Sequence, residues 1–268
     1  MRTARNLKLV ALDWTRPKDP PLSLGHASIL AVAIKRGLQV QEKSWSVNSP
    51  AFHAQDVVDH ILSRHNTSST DVAFGVYIWN ENYIQQILTK LKTGHFQGRI
   101  ILGGPQISYT KSNLESFYPQ ADVFIRGYAE EALVDLVAQS NDLPIDKSGS
   151  HYQGRPVIPG VHYAHMQNNN SKATVSLEDL PSPYLTGVIK PQKFIRWETH
   201  RGCKFKCKFC QHREPEKSLI KTKYFAEERT KKEVHLIPYT LYPIPYTLYP
   251  IPYTLYPIPY TLYPIPYT

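Results

Sequence analysis

Apolar positions along the first half of the chain follow two alternating periods. Leu7–Trp14 (LKLVALDW), Gln39–Trp45, Asp71–Trp79 (DVAFGVYIW), Arg99–Leu102 and Asp122–Arg126 are short apolar runs that predict strands. Between them, Ser23–Arg36, Asp56–Arg64, Tyr83–Leu91 and Glu130–Gln139 carry apolar residues three and four apart, which predicts helices; Gly37 ends the first. The nearly continuous apolar run at 71–79 suits a central strand covered on both faces. Five strands alternating with helices predict an α/β domain over residues 1–141, doubly wound around a mostly parallel sheet. Right-handed crossovers then put helices on both faces. Ligands of such sheets lie beyond the carboxyl ends of the strands. The loops 13–23, 79–82, 103–109 and 127–130 are therefore where a site is expected.

Periodicity fades over residues 142–193, where Asn, Ser, Pro and Gly collect; this reads as a linker with one hairpin. Phe194–Thr199 predicts a strand and Phe225–Leu236 a helix. From residue 237 to 268 the sequence is Ile-Pro-Tyr-Thr followed by four copies of Leu-Tyr-Pro-Ile-Pro-Tyr-Thr. Two prolines in every seven residues exclude helix and central strand, leaving polyproline-II-like or disordered chain. A Tyr/Pro binding repeat is one reading. The codons CTA TAC CCT ATA CCC TAT ACC offer a sharper one, because they are three tandem copies of CTATACC. A reading frame that has run into repeat DNA would produce this tail.

Composition adds two constraints. The basic start MRTARNLKLVALDW reaches Asp13 too soon for a signal peptide, and no run approaches the ~20 apolar residues that span a bilayer. A cytoplasmic protein without membrane partners is expected. The net charge is +9, and residues 185–235 alone hold 14 Lys and Arg against 6 Asp and Glu. Such a patch suits an anionic cofactor, a solvated surface or nucleic acid, the last being the least favoured here.

All three cysteines, Cys203, Cys207 and Cys210, fall in one C-x3-C-x2-C loop. The odd, low count excludes a disulfide framework and suits a reducing compartment. Three thiolates could hold a four-iron cluster by three corners, leaving one iron open to a small molecule. With His212 they could instead complete a Cys3His zinc shell, though without the second knuckle such sites use. Three buried structural cysteines are the blandest alternative.

The segment FIRWETHRGCKFKCKFCQHRE (194–214) resembles the start of the barrel in radical S-adenosylmethionine (radical SAM) enzymes, with Phe209 at the aromatic position of the motif. The resemblance implies a 4Fe–4S cluster on Cys203, Cys207 and Cys210. It also implies S-adenosylmethionine chelated by the open iron, Phe209 beside the nucleoside, and a reductant such as flavodoxin or ferredoxin. The first domain, through GVYIWN (75–80) and GGPQISY (103–109), resembles the Rossmann/flavodoxin-like cobalamin-binding domain that precedes many such barrels. That implies cobalamin against Tyr77, Trp79, Gly103 and Gly104, although the glycine pair could simply turn the chain. Two features depart from the pattern. No Asp-x-His-x-x-Gly cobalt-ligand motif follows Asp13, and Gly127-Tyr128-Ala129-Glu130 stands where Gly-Glu-Gly-Glu is common. His26, inside the predicted helix, reads as an ordinary helix residue.

The expected order is thus a cobalamin-binding-type domain (1–141), a linker (142–193), an N-terminal fragment of a radical SAM barrel (194–236) and the repeat (237–268). Residues 194–236 are about one βα unit, so reductive cleavage of S-adenosylmethionine is not expected of this chain as written. A non-enzymatic cobalamin-binding or vestigial protein and a small zinc module are the alternatives. After anaerobic reconstitution with iron and sulfide, Cys203→Ala should lose the cluster absorbance and EPR signal; an unchanged cluster would remove Cys203 from the ligand set.

Overall fold

The computed structural model describes residues 5–17, 19–63, 69–140, 155–190, 195–202 and 223–236. The three cysteines, Phe209, His212 and the repeat lie outside them. Strand β1 (Asn6–Asp13) is flanked by β2 (Val40–Ser46) and β3 (Thr70–Gly75), and β4 (Arg99–Gly103) and β5 (Val123–Ile125) follow outward from β3. All five are parallel, in the order β2-β1-β3-β4-β5. This is the flavodoxin-like order of a doubly wound sheet.

Period-two alternation sends each strand's side chains to two cores. Leu7, Leu9, Ala73, Ile101, Val123 and Ile125 pack against Leu133, Leu136 and Val137 of α6 (Ala129–Gln139), with Ile29 and Leu30 of α1 (Leu24–Lys35) alongside. Val10, Leu12, Val72, Phe74, Ile100 and Leu102 face the other way. They meet Val57, Val58 and Ile61 of α2 (Ala54–Leu62) and Ile84, Ile87, Leu88 and Leu91 of α3 (Glu81–Thr93). Lys8 interrupts this second face, and its burial lowers its pKa. Its Nζ donates to the carbonyls of Ile61 (2.7 Å), Ser63 (3.0 Å) and His60 (3.3 Å), satisfying acceptors that the end of α2 leaves free.

The amino ends of the strands are tied by charge. Asp71, with no exposed surface, accepts from Arg5 Nε at 2.9 Å and from Arg99 Nε and Nη2 at 2.7 and 2.5 Å. Arg99 also donates to Ser140 Oγ at 2.7 Å, which fastens the end of α6 to the same cluster.

Several segments differ from the sequence pattern. The third strand ends at Gly75, not Trp79, because the chain turns over residues 78–80 into α3. Two short helices, α4 (Pro105–Tyr109) and α5 (Leu114–Phe117), occupy a stretch with too few residues to show a period. Residues 155–190 fall within the stretch whose composition suggests a linker, yet they pack on the domain. Strand β6 (Val161–Tyr163) joins the edge of β5 in antiparallel register. Ala173 then bridges Gly127 in parallel, and Val175, Leu177 and Leu180 bury beside Val32 and Ala33 of α1.

Residues 195–199 form no strand; their groups go instead to side-chain partners such as Asp19 and Glu233. A two-residue ladder follows, β7 (His200–Arg201) with β8 (Lys223–Tyr224), and then α7 (Glu227–Leu236). No helix among the described residues is long and apolar enough to cross a membrane.

Asp71→Asn should destabilise the domain by about 3–5 kcal/mol in urea unfolding, because two buried guanidinium groups would then face a neutral amide.

Candidate functional site

The carboxyl ends of β1, β3, β4 and β5 border a cleft of about 860 Å³, lined also by residues 172–174, Glu198 and residues 200–202. It lies where the chain leaves β1 over one face and comes back to β3 over the other, the usual ligand crevice of this topology.

Asn80 shapes its floor. This side chain is 1% exposed, and its Nδ2 donates to the carbonyls of Leu12 (2.9 Å) and Gly75 (3.0 Å). Its Oδ1 accepts from the backbone N–H of Tyr77 at 2.8 Å. One amide therefore holds the ends of β1 and β3 together and sets Tyr77 against the cleft. Trp79 stacks on Tyr77, with ring centroids 4.5 Å apart and planes 11° apart, and remains partly exposed outside the lining.

Gly103 and Gly104 form the next wall and play separate roles. Gly104 has φ 90° and ψ −177°, a conformation that side chains avoid, and a Cβ there would meet Val76 O at 2.8 Å and Val76 N at 2.9 Å. Its absent side chain lets the β3–α3 and β4–α4 turns interlock, with Val76 N–H donating to Gly103 O and Gln106 N–H to Val76 O. A Cβ on Gly103 would meet only Ile125 O, at 3.6 Å. That position lines the cleft without any packing demand on glycine.

Three carboxylates border the same space, and the sequence pattern singled out none of them. Burial pushes the Asp13 carboxyl above its ordinary range, against a hydrogen bond from Ser23 and the nearby His26 and Arg196. Its Oδ2 is buried without a hydrogen-bond partner among the described residues. Glu130, in the first turn of α6, is 6% exposed; Oε1 lies 2.8 Å from Arg201 Nη1, and Oε2 is buried and unpartnered. Glu198 Oε2 accepts from Arg201 Nε at 3.0 Å. Burial, together with the Asp13 and Glu130 charges, raises the pKa of the Tyr77 phenol between them. In the sequence, Asp13 and Glu130 fall in two of the loops beyond strand ends, and Glu130 closes the stretch that stands where Gly-Glu-Gly-Glu is common.

Arg201 sits between the rings of Tyr128 (4.9 Å) and Phe225 (5.7 Å). Burial would depress its pKa, but Glu130 and Glu198 reverse the direction and hold it charged. Gly202, the residue before Cys203 in sequence, still lines the cleft. His26 also borders the cleft, with Nε2 3.3 Å from Glu42 Oε1. Among the described residues no three His, Cys, Asp or Glu side chains group as a metal site.

The structure thus brings Tyr77, Gly103 and Gly104 into one cleft wall and puts Trp79 behind Tyr77; Phe209, Cys203, Cys207 and Cys210 lie beyond the described residues. No protein-family model matches the chain. The chain is 25% identical over 177 residues to the cobalamin-dependent radical SAM methyltransferase TokK of Streptomyces tokunonensis. It is 26% identical over the same length to the 2-(S-pantetheinyl)-carbapenam-3-carboxylate methyltransferase of Streptantibioticus cattleyicolor. Each match covers 61% of this chain and 24% of the relative, so the chain spans about a quarter of the length of these curated relatives. Among solved structures it is similar to the cobalamin-dependent S-adenosylmethionine radical enzyme OxsB. With aqua-cobalamin and S-adenosylmethionine bound, OxsB aligns at a TM-score of 0.59, with 18% identity over 87% of this chain and 31% of that one. With aqua-cobalamin alone the TM-score is 0.60. At this identity the likeness establishes a shared fold.

Gly104→Ala should cost on the order of 1–3 kcal/mol in urea unfolding, and Gly103→Ala much less; equal losses would contradict the separate roles. Asp13 adds a pH signature. Its folded-state pKa is raised, so its relative stabilisation is present below the unfolded value and is lost as pH rises toward the folded one. Asp13→Asn should therefore stabilise the protein near neutrality and lose that advantage below the ordinary pKa of 3.8. Urea midpoints across that range would show it.

Proposed function

We propose that the chain is a cobalamin-binding radical SAM protein, with the cleft as the cobalamin site and Cys203, Cys207 and Cys210 as ligands of a 4Fe–4S cluster that binds S-adenosylmethionine. One observation carries the reading. The crevice of a flavodoxin-like sheet is lined as far as Gly202, the residue that precedes the C-x3-C-x2-C stretch in sequence. The cleft suits a large cofactor in three respects. Its volume is near the upper end for small-molecule sites. Gly103 leaves backbone bare toward a ligand. Asp13 and Glu130 border the cleft, each with a buried carboxylate oxygen that has no hydrogen-bond partner among the described residues. Three thiolates in one short loop have the donor chemistry of an iron–sulfur cluster. The names of the relatives and of the structural neighbour, which carry cobalamin and S-adenosylmethionine, support the cobalamin and S-adenosylmethionine parts of this reading.

In this reading the bound cofactors would supply radical and methyl-transfer chemistry, and the residues described here bind and orient them. Asn80 holds the floor, Tyr77 and Gly103 shape the wall, and Arg201 holds β7 against Glu130 and Glu198. Without an Asp-x-His-x-x-Gly motif, cobalt receives no histidine from the loop after β1.

Titration of the full chain with hydroxocobalamin should shift the corrin absorbance and saturate at micromolar cofactor, and anaerobic reconstitution should give a reducible cluster by EPR. Cobalamin binding without a cluster would favour the non-enzymatic alternative. Zinc retained in place of iron would favour the zinc module. No binding at high micromolar cofactor would leave the fold resemblance alone.

A further inference from the structure

The Tyr77 side chain reaches from β3 to α1. Its ring lies over Gly75, where a Cβ would meet Tyr77 Cε2 at 3.0 Å, and its hydroxyl stands 3.9 Å from where a Cβ on Gly25 would fall. The pose is fixed from three sides. Asn80 Oδ1 holds the Tyr77 N–H, Trp79 stacks on the ring, and the bare backbone at Gly75 leaves the ring its place. The hydroxyl forms no hydrogen bond with a described residue. Asp13 Oδ2 and Glu130 Oε2 are buried oxygens without a partner; the Tyr77 hydroxyl is not one of these, and Tyr77 lines the cleft. Its O–H is therefore open to an occupant. Asp13 and Glu130 act on it through charge alone, which together with burial keeps it a protonated phenol. Such a group has one O–H to donate.

We propose that Tyr77 is a specificity-determining residue of the cleft, whose phenol donates a hydrogen bond to a neutral oxygen acceptor on the occupant, such as the carbonyl of a primary carboxamide. The pose sets the direction of the donor before the ligand arrives, so little freedom is lost on binding. The same two carboxylates that flank the phenol oppose a negatively charged acceptor in that place. The site thus selects a carboxamide over the carboxylate of the same shape. This rests on the reading that the cleft takes cobalamin, whose periphery carries such amides.

The test titrates hydroxocobalamin into the full chain, wild type and Y77F. Y77F should raise Kd about three- to tenfold. With an isotopic label at the tyrosine Cζ, the resonance that Y77F removes should shift when wild type is saturated, because the phenol gains an acceptor. The monocarboxylic acids of hydroxocobalamin each carry a carboxylate in place of one carboxamide. At least one of them should bind wild type about tenfold or more weakly near neutral pH. An equal Kd in Y77F, an unmoved Cζ resonance, or monocarboxylic acids that all bind as tightly as the parent overturns this proposal and leaves cobalamin binding standing.

The ligand-free chain gives a separate check. Because the hydroxyl has no partner among the described residues, Y77F should keep the wild-type midpoint in urea. A lower midpoint means that the O–H already serves a bond within the chain, and it overturns the proposal whether or not cobalamin binds. No binding by wild type at high micromolar hydroxocobalamin removes the cofactor reading, and the acceptor proposed for Tyr77 falls with it.

Discussion

The cleft exists because one buried amide fixes how two adjacent parallel strands end. Neighbouring strands of a twisted parallel sheet leave unpaired carbonyls at their carboxyl ends, and those groups need donors once they are buried. Asn80 supplies two donors to Leu12 and Gly75 and accepts from Tyr77, so β1 and β3 end in register and the next turn is aimed. The neighbouring wall follows from the same junction. Val76, one residue beyond Gly75, exchanges backbone hydrogen bonds with Gly103 and Gln106, which requires the left-handed glycine at 104. Floor and wall are therefore one hydrogen-bonded unit. A change at Asn80 would disturb Tyr77 and Gly104 together.

This explains which features could be read from the chain and which could not. The nearly continuous apolar runs of β1, β3 and β4, set between stretches of helical period, suit strands covered on both faces, so the α/β layering was legible. The choice between strand orders was not, because both doubly wound orders present the same local pattern. The run from Asp71 to Trp79 misleads because Val76 and Tyr77 are buried by turns rather than by a sheet. Strand β6 has only three residues, too few for a period, and its neighbours are rich in Pro and Gly. Glu130 and Arg201 were hidden for another reason. A lone carboxylate or guanidinium in sequence defaults to a solvated role, and only the packing of α6 against β7 shows that these two meet.

The glycines sort along the same lines. Sequence marks Gly103-Gly104 as one unit, with close approach to a ligand and simple chain turning as rival roles. The backbone divides them: Gly104 turns the chain, and Gly103 is open to a ligand. Further glycines serve the return segment. A Cβ on Gly160 would fall 2.1 Å from Ala173 N, and one on Gly127 2.4 Å from Ala173 O. Ala173 is thus threaded between two bare backbones, and this holds residues 172–174 over the cleft.

The same packing revises what the basic character of residues 185–235 means. Within the described part of that stretch, Arg196 pairs with Asp19, Arg201 with Glu130 and Glu198, and Arg229 with Glu233 and the carbonyl of Leu180. Lys231 and Lys232 pair along α7 with Glu227 and Glu228. Two of the arginines reach carboxylates of the first domain, Asp19 beyond β1 and Glu130 beyond β5. The positive charge counted in the sequence is in this part an adhesive between the two ends of the described chain. A polyanion would have to displace buried partners to use Arg201, and an anionic cofactor would meet a guanidinium already neutralised by Glu130 and Glu198. The cleft itself is bordered by the carboxylates of Asp13, Glu130 and Glu198, which disfavour an anion.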